Sequence, residues 1–386
     1  MKFLHSSDWH IGRQFHNISL LEDQAYVLEQ IIEHLKNEAA DALVIAGDIY
    51  DRSVPPAAAV ALLDEVFQRI SIDLAIPILL IPGNHDSAER VRFAAKQLRQ
   101  SGLYIFGNLE NVSEAVTITG KSAVAVNFYG IPYNDPERVR HCFAAEAIKT
   151  HNDAHSFLCD QISQSPNFDA KANNVLISHC FVDGAETSES ERPLSIGGAD
   201  RVDYAPMQIF DYVALGHLHS PQFRGKEYIR YSGSILKYSF SEVKQKKAVT
   251  LVEVNSQGEV SQQQLYLKAK RDMRIIEGEL EDILQAAQAD TEHNDDYLLI
   301  RLLDRHAILD TMGKLRRVYP NVLHLEKTGL INDTPLKALQ REQLKRSEID
   351  MFKDFFTQTN SSDLSAEQQT ALAQVIDDLR KSERQA

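Results

Sequence analysis

The sequence has few cysteines, no long hydrophobic run and no excess of positive charge. Its three cysteines, Cys142, Cys159 and Cys180, are an odd number without close spacing, which fits reduced thiols better than a disulfide framework or a zinc knuckle. No apolar run approaches the roughly 20 residues of a membrane-spanning helix. The first residues also lack the apolar core of a secretory signal peptide. We therefore expect a cytoplasmic protein that does not bind a membrane.

The acidic balance limits how the chain can bind nucleic acid. Its 386 residues include 55 Asp and Glu against 41 Lys and Arg, a formal net charge of −14. This charge argues against non-specific binding of a polyanion by the whole surface, although a local basic face stays possible. Short basic clusters occur over 244–247, 314–317 and 341–346, and each alone is typical of a solvated face. The length fits one large domain with one or two smaller ones.

Histidine, aspartate and asparagine follow the ends of five short apolar runs. The clearest case is Gly216-His217-Leu218-His219, because two histidines one residue apart after a buried strand are poor core material and good metal ligands. The other four runs lead to Asp8-Trp9-His10, Gly47-Asp48, Gly83-Asn84-His85-Asp86 and His179. An isolated residue of this kind is more often a cap or a satisfied polar group. Open α/β sheets assemble their sites at the carboxyl edge of the strands, so five such ends predict one shared site.

The first third of the chain has the pattern of an α/β fold. Up to about residue 133, short β-rich runs alternate with helical stretches, which indicates βαβ units around a mostly parallel sheet. We expect helices over 20–35, over 56–70 and from the N-cap Ser87 onward. A polar segment over 183–203 then follows the His179 strand, and a loop of that length beside a candidate site indicates a function.

The character of the sequence changes near Lys270. A compact β-α-β-α-β series predicts a small second domain over 271–333, after a main domain over 1–270. Over 334–386 only helical patterns remain, with capping-box signatures at Ser347 and Ser365. Two short amphipathic helices must bury their apolar stripes, so they pack either on their own domain or on a partner protein.

The candidate ligands are numerous enough to predict two metal ions, because seven exceed what one ion with open positions for substrate requires. Asp48 is the natural bridge between the two ions. Imidazole, carboxylate and amide oxygen without thiolate favour manganese or iron over structural zinc or magnesium. The set is Asp8, His10, Asp48, Asn84, His179, His217 and His219.

Two divalent ions against two carboxylates leave a surplus of positive charge. A bridging hydroxide and a phosphodiester anion would neutralise it, as two-metal phosphoester hydrolysis requires. His85 lies beside Asn84 and is the candidate for donating a proton or hydrogen bond near the phosphate. Asp86 or Asp51 could orient this imidazole, although either is equally suited to a turn or a cap.

The five motifs, in this order, resemble the signature of the calcineurin-like metallophosphoesterases. Residues 7–13, 51–56 and 194–203 are further similar to the SbcD family of bacterial nuclease subunits. This resemblance implies an α/β fold in which mixed β-sheets flanked by helices form a four-layer sandwich. It also implies a small α/β capping domain and C-terminal helices.

The resemblance also implies roles for particular residues. A first ion would be held by Asp8, His10, Asp48 and His219, and a second by Asp48, Asn84, His179 and His217. The family implies two Mn²⁺ per chain and His85 as the catalytic histidine. It further implies a cap over the DNA-binding cleft at about 274–327, a homodimer formed through the helices of 56–70 and 87–99, and C-terminal helices that dock on the coiled-coil base of an SbcC-type ATPase. That assembly would contain two copies of each protein.

We therefore expect a manganese-dependent DNA nuclease of DNA repair, replication and recombination. It would cut duplex ends as an exonuclease and single strands or hairpins as an endonuclease, under control of the partner's ATP cycle. One alternative is a phosphodiesterase or phosphatase for a nucleotide or lipid headgroup, which would need no docking helices. Another is a scaffold without catalysis, which the intact ligand set disfavours.

Overall fold

A computed structural model of the chain describes residues 1–191, 200–289, 292–306 and 308–329, with a few positions between 352 and 375. This part contains two six-stranded sheets, one three-stranded sheet and two two-stranded ribbons. The strands are β1 Lys2–Ser6, β2 Gln14–Phe15, β3 Ile18–Ser19, β4 Ala42–Ala46, β5 Ile78–Ile81, β6 Leu103–Ile105, β7 Val116–Thr119, β8 Ala125–Ile131, β9 Asn173–His179, β10 Phe181–Val182, β11 Arg201–Val202, β12 Tyr212–Gly216, β13 Gln222–Arg224, β14 Lys226–Tyr231, β15 Ala248–Val254, β16 Val260–Tyr266, β17 Met273–Gly278, β18 Tyr297–Leu302 and β19 Val322–Lys327.

Both large sheets are mixed, with four parallel strands each and antiparallel strands at one edge of the first sheet and at both edges of the second. The first has the order β16-β15-β1-β4-β5-β6, in which β1, β4, β5 and β6 run parallel and β15 and β16 are antiparallel additions. The second has the order β13-β14-β12-β9-β8-β7, in which β14, β12, β9 and β8 run parallel. Four parallel strands in each sheet therefore end at one edge, where polar residues can meet.

The helices follow the predicted order with one exception. The predicted helix over 20–35 is α1, and the one over 56–70 is α2, which continues as a π-helical turn over Arg69–Asp73. The described helices are α1 Leu21–Asn37, α2 Ala57–Gln68, α3 Ala88–Val91, α4 Ala95–Leu98, α5 Pro136–Phe143, α6 His151–Ser163, α7 Leu280–Ala289 and α8 Thr311–Arg316.

The expectation of one continuous helix from Ser87 onward is wrong. Ser87 does cap a helix, because its side chain accepts a hydrogen bond from the Arg90 amide, but α3 ends after one turn. Ala94 then adopts a left-handed conformation with φ of +58° and starts the short α4. A left-handed residue cannot continue a right-handed helix, so the segment folds as two separate turns.

The two large sheets pack face to face between layers of helices. In β4, Ala42, Val44 and Ala46 face the other sheet, whereas Leu43 and Ile45 face α1 and α2. This alternation follows from the period of two residues in a strand. A matching cluster on the far side of the second sheet includes Leu158 and Ile162 of α6. Helix, sheet, sheet and helix give four layers, as the family resemblance implied.

The three-stranded sheet is parallel, with β18 between β17 and β19, and has its own core with α7 and α8. It is fastened to α1 through the buried carboxylate of Asp23. Arg271 donates to both Asp23 oxygens at 2.9 and 2.6 Å, and the Tyr297 hydroxyl donates to one of them at 2.9 Å. The domain limits of 1–270 and 271–333 stay predictions.

The predicted helices over 334–386 lie almost entirely outside the described residues. Gln368 and its neighbours over 367–372 are helical, and the Ser365 side chain accepts a hydrogen bond from the Gln368 amide, as a capping box requires. Among the described helices, none combines the length and the apolar composition that crossing a membrane needs.

Candidate metal centre

All seven predicted ligands meet where the parallel strands of the two large sheets end. The first sheet contributes the residues that follow β1, β4 and β5, and the second contributes those at the ends of β9 and β12. The register of β9 and β12 pairs His179 with Gly216, so the histidines that follow Gly216 lie beside His179. The site therefore exists only where both sheets come together.

One group of candidate ligands consists of Asp8, His10 and His219. A ligand atom from each lies within 4.8 Å of those of the other two, and all three residues are buried. The Nε2 atoms of His10 and His219 are 3.1 Å apart. The second imidazole nitrogen of His10, Nδ1, has no hydrogen-bond partner in the described part of the chain.

A second group lies on the other side of Asp48. Asp8, Asp48 and His179 also bring ligand atoms within 4.8 Å of one another. The Asn84 side-chain oxygen lies between two imidazoles, 2.9 Å from His179 Nε2 and 3.1 Å from His217 Nδ1. The Asp48 Oδ2 atom is 3.5 Å from His179 Nε2 and 3.6 Å from His10 Nε2. Asp8 therefore belongs to both groups, and Asp48 lies close to one histidine of each.

The chemistry of these side chains fits divalent cations. Imidazole nitrogens, two carboxylates and an amide oxygen converge from several strands, and acceptors held this close need positive charge between them. Burial, together with the negative charge of Asp48, raises the pKa of Asp8 well above its ordinary value. The buried Asn84 Nδ2 lacks a hydrogen-bond partner among the described residues, as expected of an amide oriented by its oxygen.

The ligand loops are held in unusual backbone conformations. Asp8, His10, Asp48 and His217 all have positive φ angles, of 52°, 46°, 49° and 106°. Residues other than glycine rarely adopt this region, and strained backbone of this kind clusters at functional sites. Gly216 is required for a different reason, since a Cβ there would lie 1.8 Å from the Ala46 carbonyl oxygen.

Asp86 anchors the loops instead of orienting His85. Its carboxylate accepts hydrogen bonds from the backbone amides of Ile49, Tyr50 and Gly83 at 3.0, 2.9 and 2.9 Å. Burial, with a further effect from the Asp48 charge, raises the pKa of Asp86 to about 6. Asp86 therefore ties the loop after β4 to the loop after β5.

His85 is oriented by the backbone of Asp51. Its Nδ1 atom is 2.8 Å from the Asp51 carbonyl oxygen, which can only accept, so Nδ1 carries the hydrogen. The His85 amide also donates to Asp48 Oδ1 at 2.8 Å, and the His85 ring centre lies 4.7 Å from that of His10. The imidazole is half-buried, with Nε2 left for a group in the site.

Two supports of the ligand loops were missed by the sequence reasoning. Gln24 is fully buried and donates to the carbonyl oxygens of Trp9 and His10 at 3.1 and 2.8 Å. Its only signal was a polar residue on the inward face of α1. Lys247 is also buried, although it belongs to the basic cluster over 244–247 that is typical of a solvated face. Its ammonium pairs with the buried Glu242 at 2.5 Å.

Comparison with known proteins agrees with this geometry. Residues 1–221 match the calcineurin-like phosphoesterase family, and residues 269–360 match the type 5 capsule protein repressor C-terminal domain. The SbcD component of the nuclease SbcCD from Staphylococcus epidermidis is 35% identical over 376 residues, which cover 97% of this chain and 98% of that protein. The chain belongs to the calcineurin-like phosphoesterases, in the SbcD family. The expected fold class and the expectation of a metal-dependent hydrolase are confirmed.

Two solved structures also resemble this SbcD-family chain. They are TT1561 of Thermus thermophilus, at 12% identity and a TM-score of 0.37, and a dimetal phosphatase from Danio rerio, at 10% identity and a TM-score of 0.38. Each match covers 68% of this chain and 98% of the other chain.

Acid should destabilise the metal-free chain, because burial lowers the pKa of five histidines that lie in the interior. The pKa falls to about 3 for His5 and to about 4 for His155, and it is lowered in His10, His179 and His217 as well. These side chains stay neutral in the folded chain but take up protons in the unfolded chain below about pH 6.5, the usual value for histidine. Stability is therefore full above that pH and is lost as the pH falls.

The raised pKa values of Asp8 and Asp86 act in the opposite direction but involve only two groups. We expect the free energy of unfolding to drop by on the order of 1 kcal/mol or more per pH unit below about pH 6.5. Urea titrations with a metal chelator at pH 7.5, 6.5 and 5.5 measure it. An unchanged midpoint across this series would contradict the prediction.

Proposed function

We propose that this SbcD-family chain is a DNA nuclease that hydrolyses phosphodiester bonds with two manganese ions. The observation that carries the proposal is the convergence of all seven predicted ligands around Asp8 and Asp48. A second support is the 35% identity over almost the whole chain to a protein named as part of a nuclease. Duplex-end exonuclease and single-strand or hairpin endonuclease activity are the specific reactions proposed.

We assign the ligands to two ions as the family resemblance implies. Asp8, His10, Asp48 and His219 would hold the first, and Asp48, Asn84, His179 and His217 would hold the second. The mixture of nitrogen and oxygen ligands, without thiolate, suits manganese. When bound, such a pair polarises a phosphate and lowers the pKa of water so that it can act as a nucleophile.

His85 is proposed to protonate the departing oxygen of the DNA strand. Its Nδ1–H is committed to the Asp51 carbonyl, which fixes the ring, so the proton that it would transfer is the Nε2–H of the doubly protonated imidazolium. The ring lies against His10 at the edge of the ligand cluster, so a phosphate in the site would be within its reach. His85 would act as a general acid and not as a ligand.

Replacing His85 by Gln should slow cleavage without removing the metals. Loss of a general acid lowers the rate by roughly 100- to 10,000-fold, so cleavage of labelled hairpin DNA in manganese should fall by that factor. Asp48→Ala should abolish both cleavage and binding of two ions. His34→Gln, in the last turn of α1, is the matched control and should behave as wild type. Equal cleavage by wild type, His85→Gln and Asp48→Ala would refute the assignment.

The chain is further proposed to form a homodimer through α2 and the segment over 87–99. These elements line an apolar groove of about 980 Å³ that includes Leu63 and Phe67. Three large apolar side chains of the groove are exposed: Val60 by 44%, Ile72 by 56% and Phe93 by 79%. A concentrated apolar patch is typical of a protein–protein interface, and a second copy of the same surface would cover it.

A charge placed in this groove should dissociate the dimer. We expect Phe93→Glu to halve the molar mass in solution, because the glutamate would be buried against an apolar surface. Phe223→Glu, at a 47% exposed aromatic of β13 outside the groove, is the matched control and should leave the mass unchanged. Sedimentation equilibrium measures both. A Phe93→Glu variant with the wild-type mass would rule out this interface.

The proposed partner is an SbcC-type ATPase, in an assembly of two chains of each kind. Support comes from the relative, which is named as one component of SbcCD, and from the C-terminal family match over 269–360. We propose that the helices over 334–386 dock on the coiled coil of the ATPase and that its ATP cycle gates the site. A role in DNA repair, replication and recombination at the cytoplasmic nucleoid follows from such a substrate.

The small sheet is proposed to cap the cleft that receives DNA. It approaches the ligand side of the molecule through β19, where the His324 ring lies 5.9 Å from that of His16, on the turn between β2 and β3. The cap would cover about 274–327, and its basic residues over 314–317 are the candidates for contacting the DNA backbone.

Removal of residues 334–386 should abolish co-purification with the ATPase while manganese binding stays at the wild-type level. The ligands all precede residue 220, so the deletion leaves them in place. Co-expression with a tagged ATPase, followed by affinity capture, measures the interaction. Capture of the shortened chain at the wild-type ratio would refute the docking proposal.

A further inference from the structure

His219 is held by charged and polar groups that belong to none of the ligand motifs. Its backbone amide donates to Glu191 Oε1 at 2.7 Å, and its carbonyl oxygen accepts from Lys247 Nζ at 2.8 Å. Its imidazole Nδ1 is 2.6 Å from the Ser190 hydroxyl. Ser190 and Glu191 lie on the segment over 183–203 whose length indicated a function. These two residues of the segment therefore contact the metal centre.

The hydrogen bonds around Ser190 determine which nitrogen of His219 carries the hydrogen. The Ser190 hydroxyl donates its single hydrogen to Glu242 Oε1, because the carboxylate can only accept. Ser190 must then accept from His219 Nδ1–H, and Glu242 Oε1 lies 3.3 Å from the same nitrogen. His219 Nε2 consequently carries a lone pair, and it is this atom that lies 3.1 Å from His10 Nε2.

The carboxylate at the end of this chain is fixed in place. Glu242 is fully buried, and its second oxygen accepts from Lys247 Nζ at 2.5 Å. Ser234 Oγ and Gln245 Oε1 lie 2.8 and 2.7 Å from Lys247 Nζ, so with the His219 carbonyl oxygen and Glu242 there are four acceptors around its three hydrogens. A buried ammonium with every hydrogen engaged has little freedom to move, so the Glu242 oxygens have little freedom as well.

We propose that Ser190, Glu242 and Lys247 form a relay that positions His219 for one of the two metal ions. The inference rests on the proposed two-metal function and names three positioning residues for it. When the ring nitrogen that does not bind the metal donates its hydrogen to a carboxylate, the ring is fixed and the metal-binding nitrogen becomes more basic. Loss of such support lowers the metal affinity by about 10- to 100-fold.

The relay supports one ion more than the other. The corresponding hydrogen bond of His179 runs from its Nδ1–H to the neutral carbonyl oxygen of Ala46, at 2.8 Å. The ion held by His219 therefore depends on the buried charge pair and on the Ser190 loop, whereas the ion held by His179 depends on the sheet backbone. Disturbing the relay should affect the two ions unequally.

Manganese titration of the full chain, followed by the EPR signal of free Mn²⁺, tests the relay without measuring cleavage. We expect one of two binding events to weaken by about 10- to 100-fold in a Glu242→Gln and Lys247→Met double variant, which removes both charges together. Ser190→Ala should weaken the same event by about tenfold or more. Thr187→Ala, at an exposed residue of the same segment that is not hydrogen-bonded to His219, Ser190 or Glu242, should bind as wild type.

The outcomes separate the relay from the function on which it rests. A wild-type chain that binds no manganese would overturn the proposed function. If wild type binds two ions and Ser190→Ala binds both as tightly as wild type does, the relay alone would be overturned. Equal weakening of both ions would show a general structural effect and would also overturn it. If the double variant fails to fold, Ser190→Ala decides, because it leaves the Glu242–Lys247 pair intact.

Discussion

The close approach of β12 to β4 is the contact on which the metal centre depends. The Ala46 carbonyl oxygen at the end of β4 fills the space where Gly216 would carry a Cβ, and it also accepts a hydrogen bond from His179 Nδ1 at 2.8 Å. The candidate carboxylate ligands of the first sheet and the three candidate histidine ligands of the second would reach the same ions only when the two sheets are this close. A side chain at position 216 would move the sheets apart and divide the ligand set, so the glycine is a requirement of packing before it is one of chemistry.

The residues that follow Gly216 show why the sites could be read from the sequence. Parallel strands end at the same edge of a sheet however the core is packed. Histidine, aspartate and asparagine placed directly after apolar runs therefore predict a shared site without knowledge of side-chain packing. The break at Ala94 could not be predicted in this way, because alanine favours helices and only tertiary context makes it left-handed. Lys247 was equally hidden, since its burial depends on Glu242, which pairs with it only in the folded chain.

The helix α1 contacts both the small sheet and the first ligand loop, which the sequence pattern predicts as separate parts of the protein. Asp23 holds Arg271 and Tyr297 of the small sheet, while the next residue, Gln24, holds the carbonyl oxygens of Trp9 and His10. A movement of the small sheet would act on α1 at Asp23, one residue from the group that fixes the first ligand loop. The attachment of the small sheet and the geometry of the candidate ligands are thus supported by one turn of one helix.

The electrostatics of the site reconcile an acidic protein with an anionic substrate. Asp8 and Asp48 are buried close together, and their mutual repulsion is part of what raises the pKa of Asp8. Divalent ions between them would relieve this repulsion, so metal binding and folding are coupled in the ligand loops. The same ions would give the site a local positive charge that the net charge of −14 does not supply. Phosphate would then be attracted to the metal centre itself, while the surrounding acidic surface disfavours binding elsewhere.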